Sequence, residues 1–357
     1  MARILVLGVQ IPFTRGGQEV LVHTLTRELQ ARGHEADVVQ LPLNVTPKEG
    51  FLTQAAMWRA LDLTSFSGEP IDLVIATKFP SYYARHPRKS LWLVHQHREM
   101  YDLFGGRFCG FSDDPRDEEL RRMLAEGDTK VIGECAFVSG ISKNVLERLR
   151  HFNGLAGEVL YPPLPQGTRY RCDAAQDYIL SVGRLCAIKR VDLMIQAMPM
   201  IHAGVKLRIV GAPDEPKIMD YLRSELKRHD LWDRVEFLGR VSDEDLIRLY
   251  AGALAVYYAP YNEDYGYVTL EAFASGKPVV TAHDSGGVLE FVTHDENGLI
   301  VDPTPAAVSG ACNALIENRE RAAALGQRGR TLIETSGMAE AGWDQIITGL
   351  LSPLEGA

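Results

Sequence analysis

The chain has 357 residues, 46% of them hydrophobic and 24% charged, with no low-complexity tract; that length suggests about two globular domains and excludes a disordered or fibrous chain. Its formal charge of −9 gives no electrostatic support to nucleic-acid binding. Docking on an anionic membrane is not favoured either, although a local basic patch would still permit peripheral contact.

The start, MARILVLGVQIPF, has no small-residue cleavage site and is too short to cross a bilayer. It is read as the first buried strand of a cytoplasmic protein, with RILVLG a continuous apolar run of the kind found in parallel sheets buried on both faces. In GGQEVLVHTLTRELQARGH, Leu21, Leu25 and Leu29 recur every four positions and Gly33 stops the helix. EADVVQL, IDLVIAT and SLWLVHQ read as strands, and AFVSGISKNVLERLRHF as a strand running into a helix. Such alternation argues for an α/β sheet with helices on both faces.

Pro162, Pro163 and Pro165 then break the rhythm, because proline continues neither a helix nor a central strand. Tyr161 to Cys172 is therefore read as an interdomain connection. The alternation restarts with YILSVGRL, KRVDLMIQAMPMI, KLRIVGA, IMDYLRSELKRHD and RVEFLGRV. SDEDLIRLYAGA opens on Ser242 with Asp245 three positions later, close to a capping box. LAVYYAP and KPVVTA are strands, PAAVSGACNALIENRERAAALGQRGRTLI is mostly helical, and MAEAGWDQIITGLLSPL is a last helix. Two doubly wound, Rossmann-like halves facing a cleft are expected, with ligands beyond the carboxyl ends of the strands. Five scattered cysteines, Cys109, Cys135, Cys172, Cys186 and Cys312, never spaced C-x-x-C, fit reduced thiols better than a disulfide framework or zinc site.

Four strand-end loops hold candidate chemistry. TRGGQE places Gly16 and Gly17 before a helix, where backbone N–H groups can approach an anion, or where the glycines simply make a turn. There is no G-x-G-x-x-G, which argues against ordinary dinucleotide binding. SVGRLCAIKRVD carries Arg184 and Lys189, either a diphosphate-binding pair or two solvated cations. In APYNEDYGYVTLEAFASGKPVV, Tyr265, Gly266, Tyr267 and Val268 form a loop-to-helix turn with orphan N–H groups. Glu263 precedes that turn, either as a functional acid or as a favourable charge near a helix start. Glu271 follows it among residues that look buried; it is either an exposed helix residue or a carboxylate that needs a partner, which a hydroxyl-rich ligand would supply. LWLVHQHREMYD ends a strand in His95 and His97; with no carboxylate or cysteine cluster beside them, substrate orientation is the better reading than metal ligation.

RGGQE, GRLCAIKR, FLGRVSDEDLIRLYAGA and NEDYGYVTLEAFASGKPVV, in this order, resemble the retaining glycosyltransferases of the two-domain B-type (GT-B) fold, particularly glycosyltransferase family four. The resemblance spans nearly the whole chain, and its most specific part is the E-x7-E pair followed by ASGKPVV. It implies an acceptor-binding domain over 1–163, rejoined by 338–357 through a final helix around Trp343, and a nucleotide-sugar domain over 164–337. It places Glu263 at the transferred sugar and Glu271 on the ribose hydroxyls. The backbone of Tyr265–Val268, with Arg184 and Lys189, would hold the diphosphate; Gly239, Arg240 and Val241 would lie beside the base. Gly16 and Gly17 match the loop that closes over the donor phosphates, and His95 matches a histidine near the sugar, with His97 the competing assignment. One departure is the Asp264–Tyr265 pair where the family often has glycine after the first acid, which bears on sugar choice. The segment from Pro42 to Ser67 and the acidic insert YDLFGGRFCGFSDDPRDEE, read as a solvated loop in preference to a mobile lid, would shape the acceptor site.

The implied reaction moves a hexose from a UDP- or GDP-sugar to a glycan, lipid-linked or small-molecule acceptor, with retention and with neither metal nor cofactor. Positive groups would stabilise the leaving diphosphate, and the acceptor would attack from the same face, since the residues offer no obvious nucleophile for the double displacement of retaining glycosidases. A nucleotide-sugar epimerase or hydrolase on the same fold, and an inactive sugar-nucleotide-binding subunit, are the rival readings.

Overall fold

The computed structural model describes residues 1–12, 16–44, 47–336 and 342–355. The chain divides into two compact units, Met1–Pro162 with Gly342–Ala357, and Pro163–Ala341. Residues 14–15 of the first glycine loop, 45–46 of the acceptor-shaping segment, and 338–341 at the start of the last expected helix lie outside the described residues.

The first unit runs β1 (Arg3–Gln10), α1 (Gly17–Ala31), β2 (Glu35–Pro42), α2 (Gly50–Ala60), a small hairpin of β3 (Ser65–Phe66) and β4 (Glu69–Pro70), β5 (Leu73–Lys78), β6 (Lys89–His95), α3 (Pro115–Ile132), β7 (Phe137–Gly140), α4 (Lys143–Asn153) and β8 (Glu158–Val159). Its six-stranded sheet has the order β2-β1-β5-β6-β7-β8, with every pair parallel. All six residues of β5 are buried, as in a parallel strand covered on both faces.

The second unit runs β9 (Tyr178–Val182), α5 (Val191–Ala197), β10 (Lys206–Val210), α6 (Pro216–His229), β11 (Val235–Gly239), α7 (Asp243–Gly252), β12 (Ala255–Tyr257), α8 (Tyr267–Ala274), β13 (Val279–Ala282), β14 (Gly298–Val301), α9 (Pro305–Glu317) and α10 (Arg319–Thr335). Its sheet is again six-stranded, in the order β11-β10-β9-β12-β13-β14, and parallel throughout. Numbered within the unit this is 3-2-1-4-5-6, so the winding reverses between β9 and β12, where doubly wound sheets bind ligands. Ser242 caps α7 by accepting from the Asp245 N–H at 3.2 Å while its hydroxyl donates to the Asp245 carboxylate.

The last helix, α11 (Trp343–Glu355), packs on the first unit. Trp343 meets Trp92 of β6 edge-on at 6.0 Å, and the Ser90 hydroxyl donates to the Leu350 carbonyl at 2.7 Å. The fold is thus two parallel-sheet α/β units of GT-B type, with the C-terminal helix returned to the first. Among the described residues, no helix is long and apolar enough to cross a membrane.

Two helices go beyond the sequence reading. The insert read wholly as a loop becomes α3 at Pro115: Asp114 accepts from the Arg116 N–H at 2.8 Å, and proline at the first helical position is compatible with a helix start. Helix α2 buries Phe51, Ala55 and Trp58, a helical spacing of four and then three positions partly masked by the threonine and alanines around it.

Inside the first unit, Asp128 of α3 is fully buried and accepts from the hydroxyls of Tyr82 and Tyr83 at 2.8 Å each and Tyr101 at 2.6 Å. Burial pushes its carboxyl up to about 6, against the pull of the three hydroxyls. The folded state therefore holds this proton more tightly than the unfolded chain. Its contribution to stability is highest below the unfolded value of about 4, falls by roughly 3 kcal/mol as pH rises to about 6, and is flat beyond. Denaturant titrations from pH 4 to 7 should show that loss in the wild type and not in Asp128→Asn, so that the difference between the two curves changes across this window; parallel curves would contradict it.

Candidate functional site

The site grows from the carboxyl edge of the second sheet. Three successive strands end in an apolar residue followed by glycine, SVG, IVG and FLG, and Gly183, Gly211 and Gly239 all have positive φ. They lie in adjacent strands: the Gly183 N–H donates to the Val210 carbonyl at 3.0 Å, and the Gly211 N–H to the Gly239 carbonyl at 2.8 Å. A β-carbon on Gly211 would stand 1.8 Å from the Gly183 oxygen, so this edge has to be bare backbone. Gly239 ends the edge strand, with Arg240 exposed and Val241 half-buried beyond it.

The loop after β9 carries Arg184 and Lys189, and the segment after β12 carries Glu263, so the two segments flank the point where the winding reverses. Lys189 Nζ donates to Glu263 Oε2 at 2.5 Å and to the Tyr258 hydroxyl at 3.2 Å. The side chains of Lys189 and Glu263 are only 15% and 17% exposed, so the pair is largely removed from water. Burial alone would lower the Lys189 ammonium, but Glu263 and Tyr258 hold it above the ordinary lysine range. Arg184 is more open and pairs with Asp214 at 2.6 Å; burial opposes its charge, and the surrounding acidic groups, Asp214 foremost, outweigh that and raise it. Lys189 is thus not a solvated surface cation, whereas Arg184, with 52% of its side chain exposed, keeps that character beside its carboxylate partner.

The Glu263 segment joins α8 through Gly266, which has φ +89°. A β-carbon there would come within 3.0 Å of Tyr258 and 3.1 Å of Val288, so both conformation and space require glycine. Tyr265 is buried edge-on against Tyr267 and Phe291, which fixes the turn. The first N–H groups of α8, from Tyr267 and Val268, then face outward from the helix start with its partial positive charge.

Glu271 lies one turn into α8. It is half-buried and accepts from the Tyr250 hydroxyl at 2.6 Å, with Tyr170 as a second hydroxyl donor. Burial raises its carboxyl above the usual range, and the two tyrosines oppose that rise. The partner that the sequence reading sought in a ligand is thus already supplied in part by the protein. Tyr250 and Tyr170 sit in α7 and in the segment after the interdomain prolines, with rings 6.0 Å apart. No local motif ties them to Glu271, and sequence reading missed them, as it missed Tyr258 and Asp214. The repeated apolar-glycine strand endings were the available signal for Gly183 and Gly211.

The remaining candidates lie in the first unit. Gly16 caps α1, and its N–H donates to the Glu19 carboxylate at 2.8 Å; this helix start carries its own anion. His95 ends β6 half-buried, with Nδ1 2.6 Å from the Gln96 carbonyl. His97 packs among Phe51, Phe79 and Phe111 at 4.3, 5.9 and 6.2 Å, and burial lowers it to about 4. It is a neutral member of an aromatic cluster, which leaves His95 the more available imidazole. Among the described residues, no group of three or more His, Cys, Asp or Glu side chains is arranged to hold a metal ion.

Comparison with known proteins gives this geometry a family. The model of the family described as "Glycosyl transferases group 1" matches residues 170–332, the unit that carries the site. An α-1,3/1,6-mannosyltransferase of Mus musculus is 26% identical over 317 residues, covering 80% of this chain and 75% of that protein. A GDP-mannose-dependent α-(1-6)-phosphatidylinositol monomannoside mannosyltransferase of Mycobacterium tuberculosis is 30% identical over 277 residues, covering 70% and 68%. The structure of a sucrose-phosphate synthase from Thermosynechococcus elongatus superposes with a TM-score of 0.81 at 18% identity, covering 99% of this chain and 100% of that one, a likeness of fold. The chain belongs to the group 1 glycosyltransferases and is a GT-B glycosyltransferase that uses a nucleotide sugar.

Proposed function

We propose that the protein transfers a hexose from a nucleoside-diphosphate sugar to an acceptor hydroxyl, with retention at the anomeric carbon and without a metal ion. The observation that carries this reading is the Lys189–Glu263 contact of 2.5 Å, made where the β9 and β12 loops meet the start of α8. A cation, an acid and a helix N-terminus in one place suit a diphosphate joined to a polyhydroxylated ring. In this reading Glu263 meets the sugar hydroxyls, Glu271 the ribose hydroxyls, and Gly239, Arg240 and Val241 the base. Arg184, Lys189 and the backbone of Tyr265–Val268 hold the diphosphate. The roles of Gly16, Gly17 and His95 rest on the family resemblance.

The chemistry follows from charge. As the bond from the anomeric carbon to the diphosphate oxygen breaks, negative charge grows on the leaving group, and Lys189, Arg184 and the α8 dipole would stabilise it. The acceptor oxygen bonds to the anomeric carbon on the same face, and its proton passes to the departing phosphate oxygen. Both cations enter paired with carboxylates, so donor binding exchanges those partners for phosphate: Lys189 is shared with Glu263, and Arg184 turns from Asp214. The relatives' activities make GDP-mannose the first donor to test and a glycan or lipid-linked saccharide the first acceptor class.

Nucleoside diphosphate release should depend on acceptor and persist in EDTA. Nucleoside diphosphate released without acceptor would support a hydrolase, conversion of the donor to an epimeric nucleotide sugar an epimerase, and binding without turnover an inactive subunit. Lys189→Met should lower kcat by about 100- to 1,000-fold, the cost of removing one pre-aimed donor to developing charge; wild-type turnover in steady-state assays would contradict its role. Tyr250→Phe removes a hydrogen bond that favours the charged form of Glu271, so that carboxyl should rise further. The pH below which donor KM climbs should then move upward, and an unshifted KM profile would separate Tyr250 from donor binding.

A further inference from the structure

Next to Lys189 stands a residue that the proposed chemistry does not use. Arg190 is 3% exposed, carries a positive charge, and adopts φ +50°, a left-handed conformation that is strained for a residue with a side chain. A buried charge on a strained backbone persists only where its surroundings hold it in place.

They do so from two other segments at once. Nε donates to the Ala259 carbonyl at 2.7 Å, and Nη2 to the Pro260 carbonyl at 2.9 Å. Nη1 and Nη2 fork onto the Asp284 carboxylate at 2.8 and 2.6 Å. The backbone is fastened as well, with the Tyr257 hydroxyl donating to the Arg190 carbonyl at 3.0 Å and the Tyr261 N–H to the Ile188 carbonyl at 2.8 Å. Asp284 begins the segment that grips Glu263. The Asn262 N–H donates to the Asp284 carbonyl at 2.8 Å, the Glu263 N–H to the Ser285 carbonyl at 3.1 Å, and the Gly287 N–H to the Glu263 carbonyl at 2.7 Å. One guanidinium therefore joins the loop bearing Lys189 to the segment bearing Glu263 and to the segment behind Glu263.

We propose that Arg190 is a positioning residue for sugar transfer, whose four hydrogen bonds to Ala259, Pro260 and Asp284 set the separation of Lys189 from Glu263. The proposal rests on the reading of Lys189 and Glu263 as the pair that meets the donor phosphate and sugar. Only a planar fork with donors on three nitrogens spans this set of acceptors; a lysine ammonium at the same place is a point charge and cannot. Glycine would relieve the left-handed strain yet leave two carbonyls and a carboxylate unpartnered. Arg184 and the Tyr265–Val268 backbone, which share the diphosphate with Lys189, and Glu271 on the ribose are not among its partners, so its loss should misplace the reacting end of the donor while the nucleotide end stays bound.

The test is steady-state kinetics and thermal melting of the full chain carrying Arg190→Lys, Arg190→Gly or Asp284→Asn, with Lys189→Met and Glu263→Gln alongside. The expected result is a fall in kcat of about 100-fold, the scale of a 1 Å misplacement, with donor KM within about threefold of wild type. Ethylguanidinium should restore part of the kcat of Arg190→Gly and none of that of Lys189→Met. Wild-type kcat in Asp284→Asn, which leaves Arg190 in the chain, or loss of thermal stability without loss of kcat in the Arg190 variants, would overturn the positioning role. If instead Lys189→Met and Glu263→Gln kept wild-type kcat, the underlying assignment of the reacting pair would have failed.

Discussion

The contact between Lys189 and Glu263 is the constraint on which the second unit is organised. Two opposite charges, each about five-sixths withdrawn from water, are stable only with close geometry and further hydrogen bonds. Tyr258 supplies one such bond, and the backbone of Glu263 is held between Ser285 and Gly287. The two charges come from loops that follow β9 and β12, strands that are neighbours in space but far apart in sequence. A parallel sheet with reversed winding brings their carboxyl ends side by side.

Other features serve the same edge. Bare glycine backbone at Gly183, Gly211 and Gly239 keeps side chains away from one part of it. Gly266 lets the chain turn into α8 against Tyr258 and Val288 without a β-carbon in the way. Within α8, the tyrosine hydroxyls on Glu271 occupy part of its acceptor capacity and hold its carboxylate in one orientation. The two acids thus differ in environment as well as position: one is paired with an ammonium, the other with neutral hydroxyls.

Much of this was legible in the sequence because it is local. Apolar runs ending in glycine marked the buried strands, Ser242 marked a helix start, and the prolines after Tyr161 marked the joint. The glycine between Tyr265 and Tyr267 marked the turn into α8. Helix α3 was hidden because its Asp-Pro cap lies inside an acidic, glycine-rich stretch with loop composition. What remained illegible depends on tertiary pairing. Asp214, Tyr250 and Tyr170 meet partners 21 to 101 positions away in the chain, brought together by tertiary folding, and nothing near them announces it. His97 lies two residues from His95, yet the aromatic cluster from α2 and the later loop decides that it is a neutral packing group.

The most direct measurement is a crystal structure with a nucleoside diphosphate bound. The account requires phosphate oxygens within hydrogen-bond reach of Lys189 Nζ, of Arg184 and of the first N–H groups of α8, with the ribose hydroxyls on Glu271. A diphosphate bound elsewhere, with Lys189 held by Glu263 alone and Arg184 still on Asp214, would contradict it.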